Sequence, residues 1–163
     1  MTPKTLRNFA VFTDGEGWLG RAIEGKPPTL TVQTEDYIAS GMSARVKIDT
    51  GVVEIGDMEL TLAEHNSKLS GLLGQPKKTF SVKGSQSDGE KNESVVYEII
   101  GMMTEVDPGS FKAGEKGEYK VTITPVSYKL TIGGKVVHDI DAIEGTRKIN
   151  GTDQLQGIRG DLG

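Results

Sequence analysis

The chain has 163 residues, of which 26% are charged and only 35% hydrophobic, with 22 glycines that bury almost nothing. That length fits one domain spanning residues 1–163, and the apolar content predicts a thin core. Lys plus Arg at 19 against Asp plus Glu at 23 gives a net charge of -4 without a basic block, and there is no cysteine; nucleic-acid gripping, disulfides, cysteine nucleophiles and thiolate metal sites are excluded.

The N-terminal Thr2-Pro3-Lys4-Thr5 leads into no hydrophobic region, so the expectation is a chain made and kept in the cytoplasm of its cell. The longest strictly apolar run, Phe9 to Phe12, is too short to span a bilayer, and no membrane binding by the subunit is expected. Gly15-x-Gly17-x-x-Gly20 follows it with the spacing of a dinucleotide-binding turn. That chemistry needs a helix whose N-terminus meets the pyrophosphate, and Pro27-Pro28 leaves no room for one. A β-turn around Asp14-Gly15-Glu16-Gly17 is the better reading, and a nucleotide enzyme stays a minor alternative. Trp18 beside this turn either anchors an interface or covers one end of the core.

The dominant period is two, the mark of half-buried strands. Leu30 and Val32 alternate with Thr29, Thr31 and Gln33; Val46 and Ile48 with Arg45, Lys47 and Asp49; Met58, Leu60 and Leu62 with Glu59 and Thr61. The last two are expected to form an extended hairpin over about 42–62, with Thr50 to Asp57 as its tip. Val52, Val53 and Ile55 would then lie in water, a liability unless something covers them. A short helix is expected at about 66–74, capped by Asn66, with Leu69, Leu72 and Leu73 on one side and Gly74 and Pro76 ending it.

A polar loop over 84–94 precedes Val95 to Thr104, which is apolar on both faces apart from Glu98 and reads as a strand covered on both sides. In Glu118 to Ile132 the apolar side falls on odd positions at Tyr119, Val121 and Ile123, then on even ones at Val126, Tyr128, Leu130 and Ile132. This flip at Thr124-Pro125 is what a β-bulge produces where one strand bends from one sheet into another. Gly133-Gly134 makes a tight turn, and Val136, His138 and Ile140 return. The fold class that follows is mainly β: two roughly orthogonal antiparallel sheets with one short flanking α-helix.

No catalytic, cofactor or metal site emerges. Asp139-x-Asp141-x-x-Glu144 lacks the remaining ligands of a calcium loop, and the histidines, His65 and His138, have no nucleophile placed beside them. The expectation is a non-enzyme without cofactor, whose missing burial is supplied by neighbouring copies.

Along nearly its whole length the chain resembles the major tail tube proteins of contractile-tailed bacteriophages and of headless R-type pyocin-like particles, the tailocins. The resemblance rests on Thr5-Leu6-x-Asn8 and Phe12-x-Asp14-Gly15, Leu30-Thr31-Val32-x-Thr34-Glu35-x-Tyr37, and Gly41-Met42. It continues in Glu105 to Gly109, Lys112 to Lys116, Ser127 to Leu130 and, most specifically, Gly145-Thr146-Arg147-Lys148-Ile149-Asn150-Gly151-Thr152-Asp153-Gln154-Leu155. It implies the two-sheet tail-tube fold and hexameric rings stacked inside a contractile sheath, with tape measure protein and baseplate hub as further partners. Such particles assemble in the bacterial host cytoplasm.

Four strands from each of six subunits would close a barrel about 50 Å across at the backbone, wide enough for DNA or ions to pass without specific binding. Under that reading the inter-ring contact is expected at Gly51, Val52, Val53, Glu54, Ile55 and Gly56, and the lumen wall at Lys47, Asp49, Glu59 and Thr61. A secretion-tube ring protein of the type VI kind is the alternative with the same architecture.

Overall fold

The computed structural model describes residues 2–163. The chain opens with β1 (Thr5–Thr13) and β2 (Glu16–Gly17), joined by Asp14 and Gly15, whose φ angles of 48° and 84° are those of a two-residue hairpin turn. Another strand, β3 (Ala22–Lys26), follows Gly20. The Gly15-x-Gly17-x-x-Gly20 spacing therefore belongs to a β-hairpin and has no helix to offer a pyrophosphate, which removes the nucleotide-loop alternative.

Next come β4 (Leu30–Tyr37), β5 (Val46–Ile55), β6 (Met58–Leu62), α1 (Ser67–Ser70), β7 (Lys78–Ser87) and β8 (Asn92–Asp107). They are followed by β9 (Tyr119–Ile132), β10 (Lys135–Asp141), β11 (Thr146–Ile149), β12 (Thr152–Asp153) and α2 (Gln156–Leu162). The fold is mainly β, with ten strands in one antiparallel sheet and β4 and β5 paired separately.

The longest strand pair organises the large sheet. β9 pairs with β8 along most of its length, while its other edge meets β6 over Tyr119–Ile123 and β10 over Ser127–Ile132. The change of partner falls at Thr124-Pro125. Opposite β8 the register runs Ile100 to Ser127 and then Gly101 to Pro125, so Val126 is an extra residue. One extra residue inverts the side-chain alternation: Tyr119, Val121 and Ile123 are buried before the bulge, Tyr128 and Leu130 after it. Gly101 is required there, because a Cβ on it would sit 2.3 Å from the Thr124 carbonyl oxygen.

The sheet thus divides into two lobes, β3-β6 with the first half of β9 and the end of β8, and β10 with the rest of β9, β8, β7 and β1. Their apolar faces meet in one core: Met58, Leu60, Leu62, Val121 and Ile123 from the first, Val11, Phe80 and Ile99 from the second. Trp18 closes it at 1% exposure, its indole N–H donating to Thr13 Oγ1 at 2.6 Å and the Arg21 guanidinium stacked over its ring. Trp18 is therefore a core residue.

Three expectations are corrected. The hairpin placed at about 42–62 is instead β4 with β5, residues 30–55, in register from Tyr37 opposite Val46 to Leu30 opposite Ile55. Gly51 to Ile55 lie inside β5, not at a tip, and Val53 and Ile55 pack against the core. The alternation of β5 could not say which neighbour it pairs with, since β4 and β6 both offer apolar partners. The helix expected over 66–74 is a single turn with Asn66 as cap, and it ends at Gly71 with Leu69 buried, Leu72 half-buried and Leu73 exposed. A second helix, α2, lies beyond it. Lastly, β8 is covered on one face only: Ile99 and Met103 are buried, whereas Ile100 and Met102 are each 37% exposed on the other.

Candidate assembly surfaces

The outer face of the first lobe carries two rows of polar side chains, set by strand pairing. Lys26, Glu59, Thr122 and Glu105 stand side by side across β3, β6, β9 and β8. One step along, Glu24, Thr61, Lys120 and Asp107 form the second row. An open depression of about 320 Å³ runs between them, walled by these eight residues and Val121. Four carboxylates against two ammonium groups make the face acidic. Of the side chains expected at a lumen wall, Glu59 and Thr61 lie on this face, Thr61 at 9% exposure between its charged neighbours. Lys47 and Asp49 do not; they belong to β5 in the separate pair.

Both ends of this four-strand lobe are open. β3 pairs only with β6, and beyond Met103 the outer edge of β8 has no strand beside it among the described residues. Edge strands with free N–H and C=O groups are templates for further pairing. Because each neighbour within the lobe is antiparallel, β3 and the end of β8 also run in opposite directions.

The β4-β5 arm stands apart from the large sheet, and its register breaks between Val32 and Thr34, where β5 carries extra residues about Gly51 (φ 82°). Beyond the break Tyr37, Val46 and Ile48 share one face and are 46–48% exposed, with Ile38 at 51% at the end of the arm. Two strands with an uncovered apolar face are not stable alone in water. A second apolar surface, an open groove of about 260 Å³, is lined by Leu6, Phe9, Ile23, Pro27, Val82 and Tyr97.

An ionic knot around the buried Arg147 ties the arm to the C-terminal region. The Arg147 guanidinium of β11, 7% exposed, binds both carboxylate oxygens of Asp49, at 2.7 and 3.4 Å. Asp153 accepts from the backbone N–H groups of Arg147 and Leu155 and pairs with Arg159 of α2. The Arg147 hydrogen bond, helped by the Gly51 N–H, holds the Asp49 carboxyl below the usual range. For Asp153 burial works the other way, but the two backbone N–H groups and Arg159 prevail and its pKa is also lowered. Spacing could not reveal this knot, since Asp49 and Arg147 are 98 residues apart.

The histidines pack on aromatic rings: His65 between Phe111 and Tyr119, His138 against Tyr128. Asp141 turns the chain, its Oδ1 accepting from the Ile143 and Glu144 N–H groups.

What the geometry offers is thus a set of unpaired edges and uncovered faces, the equipment of a subunit. The profile of the phage tail tube protein FII family matches residues 3–163. This chain belongs to that family. It is 29% identical to the tail tube protein of Escherichia phage P2 over 99% of this chain and 98% of that one. It is 28% identical to the major tail tube protein of Serratia phage KSP20, with 91% of this chain and 89% of the other covered. A solved structure of a type six secretion system protein shares the fold, with TM-score 0.56 and 12% identity over 86% of this tail tube chain and 98% of its own.

Proposed function

We propose that this tail tube protein joins identical copies edge to edge, β8 of one beside β3 of the next, into a hexameric ring whose acidic four-strand face lines the lumen. One observation carries the reading: the polar lobe has two unpaired edges running in opposite directions, so each copy extends its neighbour's sheet antiparallel and no edge remains after closure. The face of Glu24, Glu59, Glu105 and Asp107, with Lys26 and Lys120, suits passage of a polymer that carries one negative charge per roughly 1.7 Å, because it offers phosphates little to bind.

Rings stack into the inner tube of a contractile tail. The tube is surrounded by sheath protein, encloses tape measure protein and starts from a baseplate hub; DNA passes if the particle is a phage, and ions if it is a tailocin. The particle forms in the bacterial host cytoplasm. The exposed apolar side of the arm, Tyr37, Ile38, Val46 and Ile48, contacts a neighbouring copy and loses its water there. The fold shared with a type six secretion system protein favours a second reading, a secretion-tube ring of the same geometry. A chain gene beside sheath and tape-measure genes supports the first; secretion-system neighbours support the second.

Negative-stain electron microscopy of the purified protein tests the assembly. End-on rings of sixfold symmetry are expected; a rigid monomer at high concentration, even with its tail initiator present, overturns the reading.

A further inference from the structure

Joining β3 to β8 leaves the register of the seam open, and the residues at the two edges select one. We propose that Lys26 of one copy stands opposite Glu105 of the next, with Glu24 opposite Asp107, an assignment that rests on the edge-to-edge reading above. Residues opposed in an antiparallel pair share a face. Glu24 and Lys26 lie on the polar face of β3, and Glu105 and Asp107 on the polar face of β8, so these must meet one another. Three alignments oppose at least one pair of these residues.

Setting Lys26 against Asp107 overlaps β3 by one residue and lays Pro27 and Pro28 along Val106 and Glu105. Prolines have no N–H to give the ladder. Setting Glu24 against Glu105 opposes two carboxylates directly. It also brings Lys26 to Met103, whose outer edge is already held by a bridge to Leu73 and by the Gly74 N–H donating to the Met103 carbonyl at 3.0 Å. The remaining alignment, Lys26 to Glu105, Gly25 to Val106 and Glu24 to Asp107, stops before the prolines and stays clear of Met103. It places an ammonium opposite a carboxylate. Its cost is the Glu24–Asp107 contact, offset by the ammonium of Lys120, which stands opposite Asp107 in the β9–β8 register, and by Lys26 on the diagonal.

Both polar rows then continue unbroken around the ring, with an attractive contact at each seam of one row and a carboxylate pair at each seam of the other. The Glu24–Asp107 contact is accordingly the weaker of the two at each seam, and Glu24→Gln should lower the concentration at which rings form.

Because the chain has no cysteine, the register can be read by cross-linking. Three double variants are compared as assembled particles after oxidation on a non-reducing gel: Lys26→Cys with Glu105→Cys, Lys26→Cys with Asp107→Cys, and Glu24→Cys with Glu105→Cys. Directly opposed Cα atoms, about 4.5–5.5 Å apart, fall within disulfide reach, and diagonal ones at about 7–8 Å fall outside it. The first pair is expected to give a ladder of covalent oligomers and the other two to run as single chains. Cross-linking mainly in either of the other two overturns this register and keeps the edges; no cross-link in any of the three overturns the edge reading itself. Charge reversal is the second measurement: Lys26→Glu and Glu105→Lys should each abolish rings while leaving the far-ultraviolet dichroism of the subunit unchanged, and together restore them. Singles that assemble like the parent, or a combination that stays monomeric, contradict the proposal.

Discussion

Asp49 holds the buried Arg147 guanidinium from an arm that otherwise leans mostly on its own two strands. Asp49 is half-exposed whereas Arg147 is 7% exposed, so the partners do not depend on each other equally. Removing the carboxylate strands a guanidinium that has no other acidic side chain bonded to it among the described residues, and a buried unpaired charge is costly. Asp49→Asn is therefore expected to loosen the arm from β11 and α2. Amide hydrogen exchange over residues 46–55 should rise at least tenfold while β7 and β8 stay protected; equal exchange in both proteins would show the tether to be ornamental.

The same knot predicts a pH dependence. Asp49 and Asp153 both have lowered pKa values in the folded chain. Depressed carboxylates contribute stability that is fully present above the unfolded pKa, about 3.9, and is lost as pH falls through the folded value. Between pH 5 and 8 these two groups should leave stability flat. Below about pH 4 the arm and C-terminal segment should loosen. Hydrogen exchange or far-ultraviolet dichroism titrated from pH 7 to 2 follows it, and Asp49→Asn should remove part of the acid transition. An acid transition identical in parent and variant would place the titrating groups elsewhere.

Gly101 and the Thr124 carbonyl approach too closely for any side chain. Gly101→Ala must push β8 off β9 at the bulge where β9 changes partner, since the obstacle is backbone and cannot rotate away. Overpacking of this kind costs about 1–3 kcal/mol, which in a domain of this size lowers the thermal midpoint by roughly 2–12 °C. Gly89→Ala, with open space around it and a positive φ, provides a control for strain without collision. If Gly101→Ala melts like the parent chain, the close approach is not what fixes glycine at Gly101.

Much of the fold could be read from side-chain alternation, because alternation records which face of a strand is wet. The parity inversion between Ile123 and Val126 marked the bulge in β9, and Gly133-Gly134 marked its turn. Pairing partners were not legible: β5 alternates equally well for a place beside β4 or β6, and only the distant contacts of Val53 and Ile55 decide it. The polar rows need pairing across four strands that begin at residues 22, 58, 92 and 119, so alternation alone does not group Glu24, Lys26, Glu105, Asp107 and Lys120 with Glu59 and Thr61. Asp49 was legible as a polar strand residue, while its role as a counter-ion depended on an arginine far along the chain. α2 has no strong periodic signal, and Arg147, although part of the motif Gly145 to Leu155, has nothing local that points to Asp49.

Neighbouring valines in β5 separate a packing role from a contact role. Val53 is half-buried against the core, whereas Val52 on the opposite face is 50% exposed. Val53→Asp places a carboxylate against the apolar core, and should cost about 1–3 kcal/mol and lower the thermal midpoint by roughly 2–12 °C. Val52→Asp changes a surface residue and should stay within about 0.5 kcal/mol. Any loss of rings or tubes in Val52→Asp at unchanged melting temperature assigns that side of β5 to a contact between copies. Normal tubes from Val52→Asp, with melting unchanged, would leave contact between copies to the apolar side of the arm further out, at Tyr37, Val46 and Ile48.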